Sequence, residues 1–457
     1  MDLPFHSYRL RSPKGGQTRL LNCFATVQPP EGRSPTLIQG IAGTSPFVSI
    51  SGKPQRAAIE FQHQLYSVVG SSFVRVNSAG VITTLGSLPL SGNVDIAKNT
   101  NQIAILIEPD LYVYDGASLS KVGDSDFNSR GGKRMAVMDN YGAFVEPQSG
   151  RWFICDLNDF TVFDPLDFAT AEAMPDDLVS IESNNTQFVL FGEKSGEMWD
   201  NIGGSGFPFQ RNPNGFFETG CGAPWSTVSV DNTIYWIDPE RLARRLEGNI
   251  ARRVSHEGVE QKWQDYETIA DAKAFSYVYD GHTFVVFTFP SAGATWVYDI
   301  NTQEWHERQS YGHDHWRAAW ALNCYDKTLI GDTQSGSIGR LDASSHTEWG
   351  QTLLREATSG AITDKGRDIY HDCVELDLDV GRAPLMGQGS DPKIMMDVSD
   401  DGGVIFRARS NRSLGATGKY RQKVRWDRNG HSDQRVYRWR VTDPLPFVVA
   451  GGRLDVR

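Results

Sequence analysis

The sequence predicts an all-β chain: a β-propeller of six or seven blade-like units with an inserted short helix, followed by a β-sandwich-like C-terminal module. Three observations carry this expectation. A strand-like run ending in a turn recurs from Asn77 to Asp342, and its period stops there. The 23 Phe, 15 Tyr, 12 Trp and 45 Gly among 457 residues suit many short strands and tight turns better than a helical bundle. The chain also exceeds the ~250–300 residues at which one core usually stops growing, so two domains or a closed repeat array is expected. The divisions read as 1–45, an extended N-terminal segment closing the propeller or contacting neighbours; 46–365, the propeller; and 366–457, the C-terminal module.

Taken in order, SPTLIQGIAGTSPF precedes the first blade and is extended and proline-punctuated. The repeat then runs through FVRVNSAG, LYVYDGAS, WFICDLND, GEMWDNIG, ARRLEGN, TWVYDINT and IGRLDASS, with landmarks Asn77, Asp115, Asp156, Asp200, Glu247, Asp299 and Asp342. Their steps of 38, 41, 44, 47, 52 and 43 residues match the ~40–50 of a four-stranded blade. A second β-like run lies one turn upstream of each, such as QIAILIEP or QFVLFGE, so two strands per unit are visible. The recurring acids read as turn caps rather than a catalytic ring, because Asp and Asn after a strand bond their own turn.

The segment SHEGVEQKWQDYETI accounts for the 52-residue step: a capping Ser255 followed by Val259, Trp263 and Tyr266 at helical spacing predicts a short amphipathic helix. TWVYDINTQEWHER resembles a kelch blade, with Trp296 and Trp305 packing between blades. The module after residue 366 opens with IYHDCVELDLDVG. Its last part, Tyr420 to Val456, reads as a hairpin around DRNGHSDQ, with Asn429-Gly430 at the reversal. Strand alternation sets Arg421, Lys423 and Arg425, and likewise Arg438 and Arg440, on one basic face, with Tyr420, Val424, Trp426, Tyr437, Trp439 and Val441 on the core face.

That face stands out against the net charge of −11. From Gly403 onward there are 13 cations and 4 acids, or +9, leaving 32 cations and 52 acids, or −20, for residues 1–402. No window approaches the ~18 apolar residues of a membrane span, and MDLPFHSYRLRSPKGG lacks the apolar core of a signal peptide, so a soluble chain made in the cytosol is expected. Five dispersed cysteines without paired spacing read as reduced core residues, not a disulfide framework or a zinc site. His313 and His315, two apart, would share a face if on a strand, but no third ligand is evident locally, and no nucleotide, P-loop, zincin or hydrolase motif is present, so no metal, cofactor or catalytic residue is expected. SDDGGVIF, with Phe406 at its end, partly matches the Asp-box turn of sialidase-type propellers.

Together these features resemble the packaged-DNA stabilisation proteins of short-tailed bacteriophages, the tail hub or nozzle family (podovirus tail accessory factors). The resemblance covers nearly the whole chain. It rests on RLLNCFATVQPPEGRSPTLIQGIAG, on NGFFETGCGAPWSTVSVDNTIYWIDPE, on the helical insertion after Ile250, and on the C-terminal Asp401-Gly402 turn, KVRWDRNG, RVYRWRVTDP and GRLDV. It implies a non-enzymatic virion protein, made in the host bacterial cytoplasm and built into the tail. Six copies would form a ring below the portal-adaptor, continue the DNA channel, retain packaged DNA, and carry tail fibres or tailspikes and a needle or plug. Genomic dsDNA would pass without sequence specificity. The basic face would then dock an acidic neighbour or meet DNA phosphates; the protein interface is favoured, because a passage for moving DNA gains little from an adhesive wall. The alternative reading is a propeller-fold glycan-binding or glycoside-hydrolysing virion protein.

Overall fold

A computed structural model describes residues 7–9, 17–29, 34–50, 53–171, 174–204 and 206–457. The rest, including most of the first 16 residues of the expected N-terminal segment, lie outside the described residues. The middle of the chain forms seven four-stranded antiparallel blades, which fixes the number that spacing left at six or seven. Blades 1 to 6 span residues 55–87, 95–121, 135–170, 178–217, 228–253 and 273–307. Blade 7 takes three strands from 318–342 and its outer strand, Gly43–Val48, from the N-terminal side. The ring is therefore closed by hydrogen bonds between distant parts of the chain, in a register that sets Asp342 opposite Gly43. Gly43 must be small here, since a Cβ would sit 2.4 Å from the Thr347 carbonyl oxygen.

All seven landmarks lie at or just after the end of a blade's third strand, as with Asp115 after Asp110–Tyr114 and Asp299 closing Ala294–Asp299. Four of the seven side chains cap their turns, whereas Asp200 accepts from the Gln187 side chain and Glu247 pairs with Arg252. Asn77 accepts from the Ala79 and Val81 amides at 3.0 and 2.9 Å, Asp115 from those of Ala117 and Ser118, Asp299 from Asn301 and Asp342 from Ser344. The upstream runs are the second strands. Those strands are buried along nearly their whole length and mostly apolar, as in Ile103–Ile107, because neighbouring blades cover both faces. In five blades the first hairpin turns on two residues at positive φ, among them Asp139-Asn140 and Asp231-Asn232, the backbone twist that two-residue hairpins require.

The helix spans Glu257–Gln264 between blades 5 and 6. Its N-cap is His256, not Ser255. Ser255 is drawn away because its hydroxyl donates to Glu260 at 2.6 Å and accepts from the Ala243 amide. Val259 and Trp263 are buried, and Trp263 packs edge-on against Trp305 in the core shared by blades 5 and 6. All five cysteines are buried and unbonded.

The C-terminal strands form a sandwich of two sheets, and the N-terminal segment belongs to it. Gln17–Leu21 pairs with Arg355–Thr358 in one sheet, while the hairpin of Cys23–Val27 and Thr36–Gly40 pairs with Val448–Val456 in the other. Asn22 makes the crossing: at φ 53° it turns the chain, and its buried amide donates to the carbonyls of Gln309 and Leu354 at 2.9 and 2.8 Å. The first sheet does not end at the sandwich. Leu21 runs parallel to Glu307 of blade 6, so one continuous sheet passes from propeller to sandwich. Leu20, Cys23 and Ile38 accordingly share a core with Trp426, Tyr437 and Trp439.

Candidate interaction surfaces

The predicted alternation of Arg425 with Val424 and Trp426, and of Arg438 and Arg440 with Tyr437, Trp439 and Val441, is present in the fold. The predicted hairpin is not. Val424–Asp427 pairs with Ile369–Leu378, whereas Gln434–Val441 pairs with Lys393–Ser399 and Arg355–Thr358. Trp426 and Trp439 fill one core from opposite sheets, so Arg425 and the Arg438/Arg440 pair point to opposite sides of the sandwich. The single basic face is thereby corrected to two separate surfaces. The polar turn does not join paired strands; its His431–Ser432 segment docks on Tyr370 and Ile369.

On the first surface the charge is compensated across strands. Arg425 lies opposite Glu375, which lies opposite Arg453, and the neighbouring row sets Asp427 and Asp455 either side of Cys373. Arg425 meets Asp427 at 2.7 Å and Glu375 at 3.9 Å. Five charges in two rows, two of them positive, leave this patch slightly acidic. Arg421 and Lys423 precede the strand in an exposed turn with Lys419 and Tyr420. Among the described residues no carboxylate reaches Lys419, Arg421 or Lys423, so this exposed turn gathers three uncompensated positive charges.

On the second surface Arg438 and Arg440 converge on the buried carboxylate of Asp397, at 2.8 and 2.7 Å. Arg438 also stacks 3.9 Å over Phe406. The Asp-box-like turn presents that ring: Asp401 accepts from the Val404 and Ile405 amides, and the Gly403 amide donates to Ser399. Its residues satisfy one another, as a structural turn does. Asp397 is the partner the local sequence could not reveal, since it lies 41 residues from Arg438. Register alone brings them together.

A cavity of about 250 Å³ opens beside this second surface, between blade 6 and the sandwich. Arg19 dominates it, meeting Glu307 at 2.9 Å and Glu356 at 3.4 Å. Burial works against the Arg19 charge, but the two carboxylates more than offset it and raise its pKa.

The central channel of the propeller holds a third network. Arg134 of blade 3 reaches Asp95 of blade 2 and Glu182 of blade 4, at 2.8 and 3.2 Å, and bonds Thr227 of blade 5. Its guanidinium stacks 4.4 Å over Trp225. Burial pushes Glu182 up to about 7, against the pull of Arg134, and raises Asp95 as well. The inner ends of four consecutive blades, 2 to 5, are tied together by this one side chain. His313 and His315 stand with ring centroids 5.7 Å apart, and among the described residues no group of three or more His, Cys, Asp or Glu side chains forms a metal-ion site.

A family model described as the β-propeller of bacteriophage P22 Gp10 matches residues 17–346, and one described as its β-sandwich matches residues 355–457. No curated protein matches the chain significantly. Solved structures with similar chain paths include the designed Ika8 protein (12% identity, 65% of this chain and 99% of that one, TM-score 0.41) and the AfRom2 CNH domain (9%, 66% and 99%, 0.43). PorZ of Porphyromonas gingivalis is a third (11%, 74% and 45%, 0.41). Likenesses this loose carry no functional argument.

Proposed function

Since this chain belongs to the family of bacteriophage P22 Gp10, phage tail proteins that stabilise packaged DNA, we propose that it is the tail hub or nozzle of a short-tailed phage. Six copies form a ring below the portal-adaptor, continue the DNA channel and hold the genome in the filled head. The ring carries fibres or tailspikes and the needle or plug, and its role is structural, not enzymatic. The protein is made in the host cytoplasm and ends in the virion. The observation that carries this reading is that both family models match, in order, across 17–346 and 355–457.

Two features of the chain shape the proposal. The Arg134 network ties the inner strands of blades 2 to 5 of each propeller together, and the DNA path is assigned to the space between copies rather than to a blade ring. Ring closure among chains of net charge −11 also needs opposite charge at the contacts. The exposed turn with Lys419, Arg421 and Lys423 is assigned that role, docking on an acidic face of a neighbour or of the adaptor. No helix among the described residues is long and apolar enough to cross a membrane.

The test is genome retention in particles lacking this protein, scored by sedimentation and nuclease sensitivity. Heads that package DNA and then lose it are expected. Heads that stay full, with complete tails, would remove the hub reading and turn attention to a glycan site on the propeller.

A further inference from the structure

Four arginines among the described residues are almost completely buried: Arg134, Arg308, Arg355 and Arg435. Three have an acidic neighbour. Arg134 pairs with Asp95 and Glu182, Arg435 with Asp400 at 2.6 Å, and Arg308, stacked 3.4 Å over Trp316, lies in the field of buried Glu348. Arg355 is 1% exposed and has none. Its Nε and Nη1 are without a hydrogen-bond partner. The ionisable groups that act favourably on its charge are the Cys23 thiol and the Tyr279 phenol. Burial pushes the thiol up to about 12 and raises the phenol too, so neither carries a balancing charge at neutral pH.

This guanidinium lines a cavity of about 140 Å³ where the N-terminal strand, the ends of blades 6 and 7 and the sandwich meet. Gly40 leaves room for it: a Cβ there would sit 2.6 Å from the Arg355 Nε. His346, on the same wall, is held neutral, its pKa lowered to about 4 by burial and by Arg355. Asp280 stands at the exposed rim, where water screens it. A buried, uncompensated cation is costly, and an arginine fork is shaped to grip two oxygens of one anion.

We propose that this cavity binds a small oxyanion, of the phosphate or carboxylate class, on the Arg355 guanidinium. The anion staples the N-terminal strands, blades 6 and 7 and the sandwich into one body. The volume suits an ion of that size and is too small for a nucleotide or a nucleic-acid strand.

The experiment is thermal unfolding of the full chain titrated with inorganic phosphate, and separately with acetate, chloride holding ionic strength constant. A saturating rise of the midpoint with either anion is expected for the wild type. Gly40→Ala, which crowds the guanidinium, should require at least tenfold more anion. Arg355→Met should show no saturating rise, yet in chloride alone be as stable as the wild type or more so, because the unpaired charge is gone. The proposal is overturned if neither anion gives a saturating rise, or if Arg355→Met responds as the wild type does. It is equally overturned if Arg355→Met is clearly less stable in chloride alone, which would mean that water already satisfies the guanidinium.

Discussion

Arg19 and Glu307 meet at 2.9 Å across the seam between sandwich and propeller, one on the strand Gln17–Leu21 and the other on the outer strand of blade 6. They stand beside the parallel pairing of Leu21 with Glu307 that makes the two units one sheet. Because Arg19 keeps part of its surface in water, Arg19→Ala is expected to cost only about 0.5–1 kcal/mol in global stability. The loss should instead concentrate at the seam, as faster amide exchange in 17–21 and 304–307. Unchanged exchange there would show that the backbone pairing suffices.

Asn22 carries more. Asn22→Ala removes two donated bonds and the one accepted from the Gln309 amide, and strains the positive φ. A loss of about 2–4 kcal/mol in denaturant unfolding is expected. Asn22→Gly, which tolerates that φ, should recover part of it.

The two groups of basic residues should separate cleanly. Replacing Arg438 and Arg440 together by Met leaves the buried Asp397 carboxylate without its partners, which should cost about 3–5 kcal/mol and appear in the unfolding of the isolated chain. Arg421→Glu with Lys423→Glu should leave the isolated chain's unfolding within about 0.5 kcal/mol of wild type. Its defect should appear in ring assembly. Normal assembly with altered DNA ejection would move this turn from a protein interface to the DNA path.

Glu182 gives the fold a pH dependence of known sign. Its folded pKa of about 7 lies above its ordinary carboxylate value, so the folded state holds a proton that the unfolded state has released. Stability should therefore fall as pH rises from about 4.5 to 7 and level off above that, by on the order of 1–3 kcal/mol. Glu182→Gln should flatten the curve in that window, measured as the unfolding midpoint at pH 5 and pH 8.

Strand closure can be tested by where the chain begins. A chain starting at Gly43 keeps the outer strand of blade 7 but loses the sandwich strands Gln17–Leu21, Cys23–Val27 and Thr36–Gly40, whereas one starting at Lys53 also loses the closing strand. The first should unfold its sandwich region early, with the propeller transition retained. The second should lose the propeller transition as well. Identical melting of both would show that Gly43–Val48 does not hold the ring.

The sequence by itself determined the blades, the insertion and the in-or-out sense of the basic strands. The second and third strands were legible because neighbouring blades bury much of both their faces, leaving short apolar-rich runs that end in turns. First strands line the channel and the fourth strands of blades 1 to 5 are edges, as in the largely exposed Ile82–Ser87, so their patterns are diluted. Tertiary structure alone decided which strands are partners. Alternation told that Trp426 and Trp439 face a core, but a period of two is the same whichever strand lies alongside, and they face it from opposite sheets. The same holds for Gln17–Leu21 and Gly43–Val48, whose partners lie some 300 residues away. The Asp397 and Arg19 networks follow from that pairing, because a charge finds its counter-charge across a register that no local pattern records.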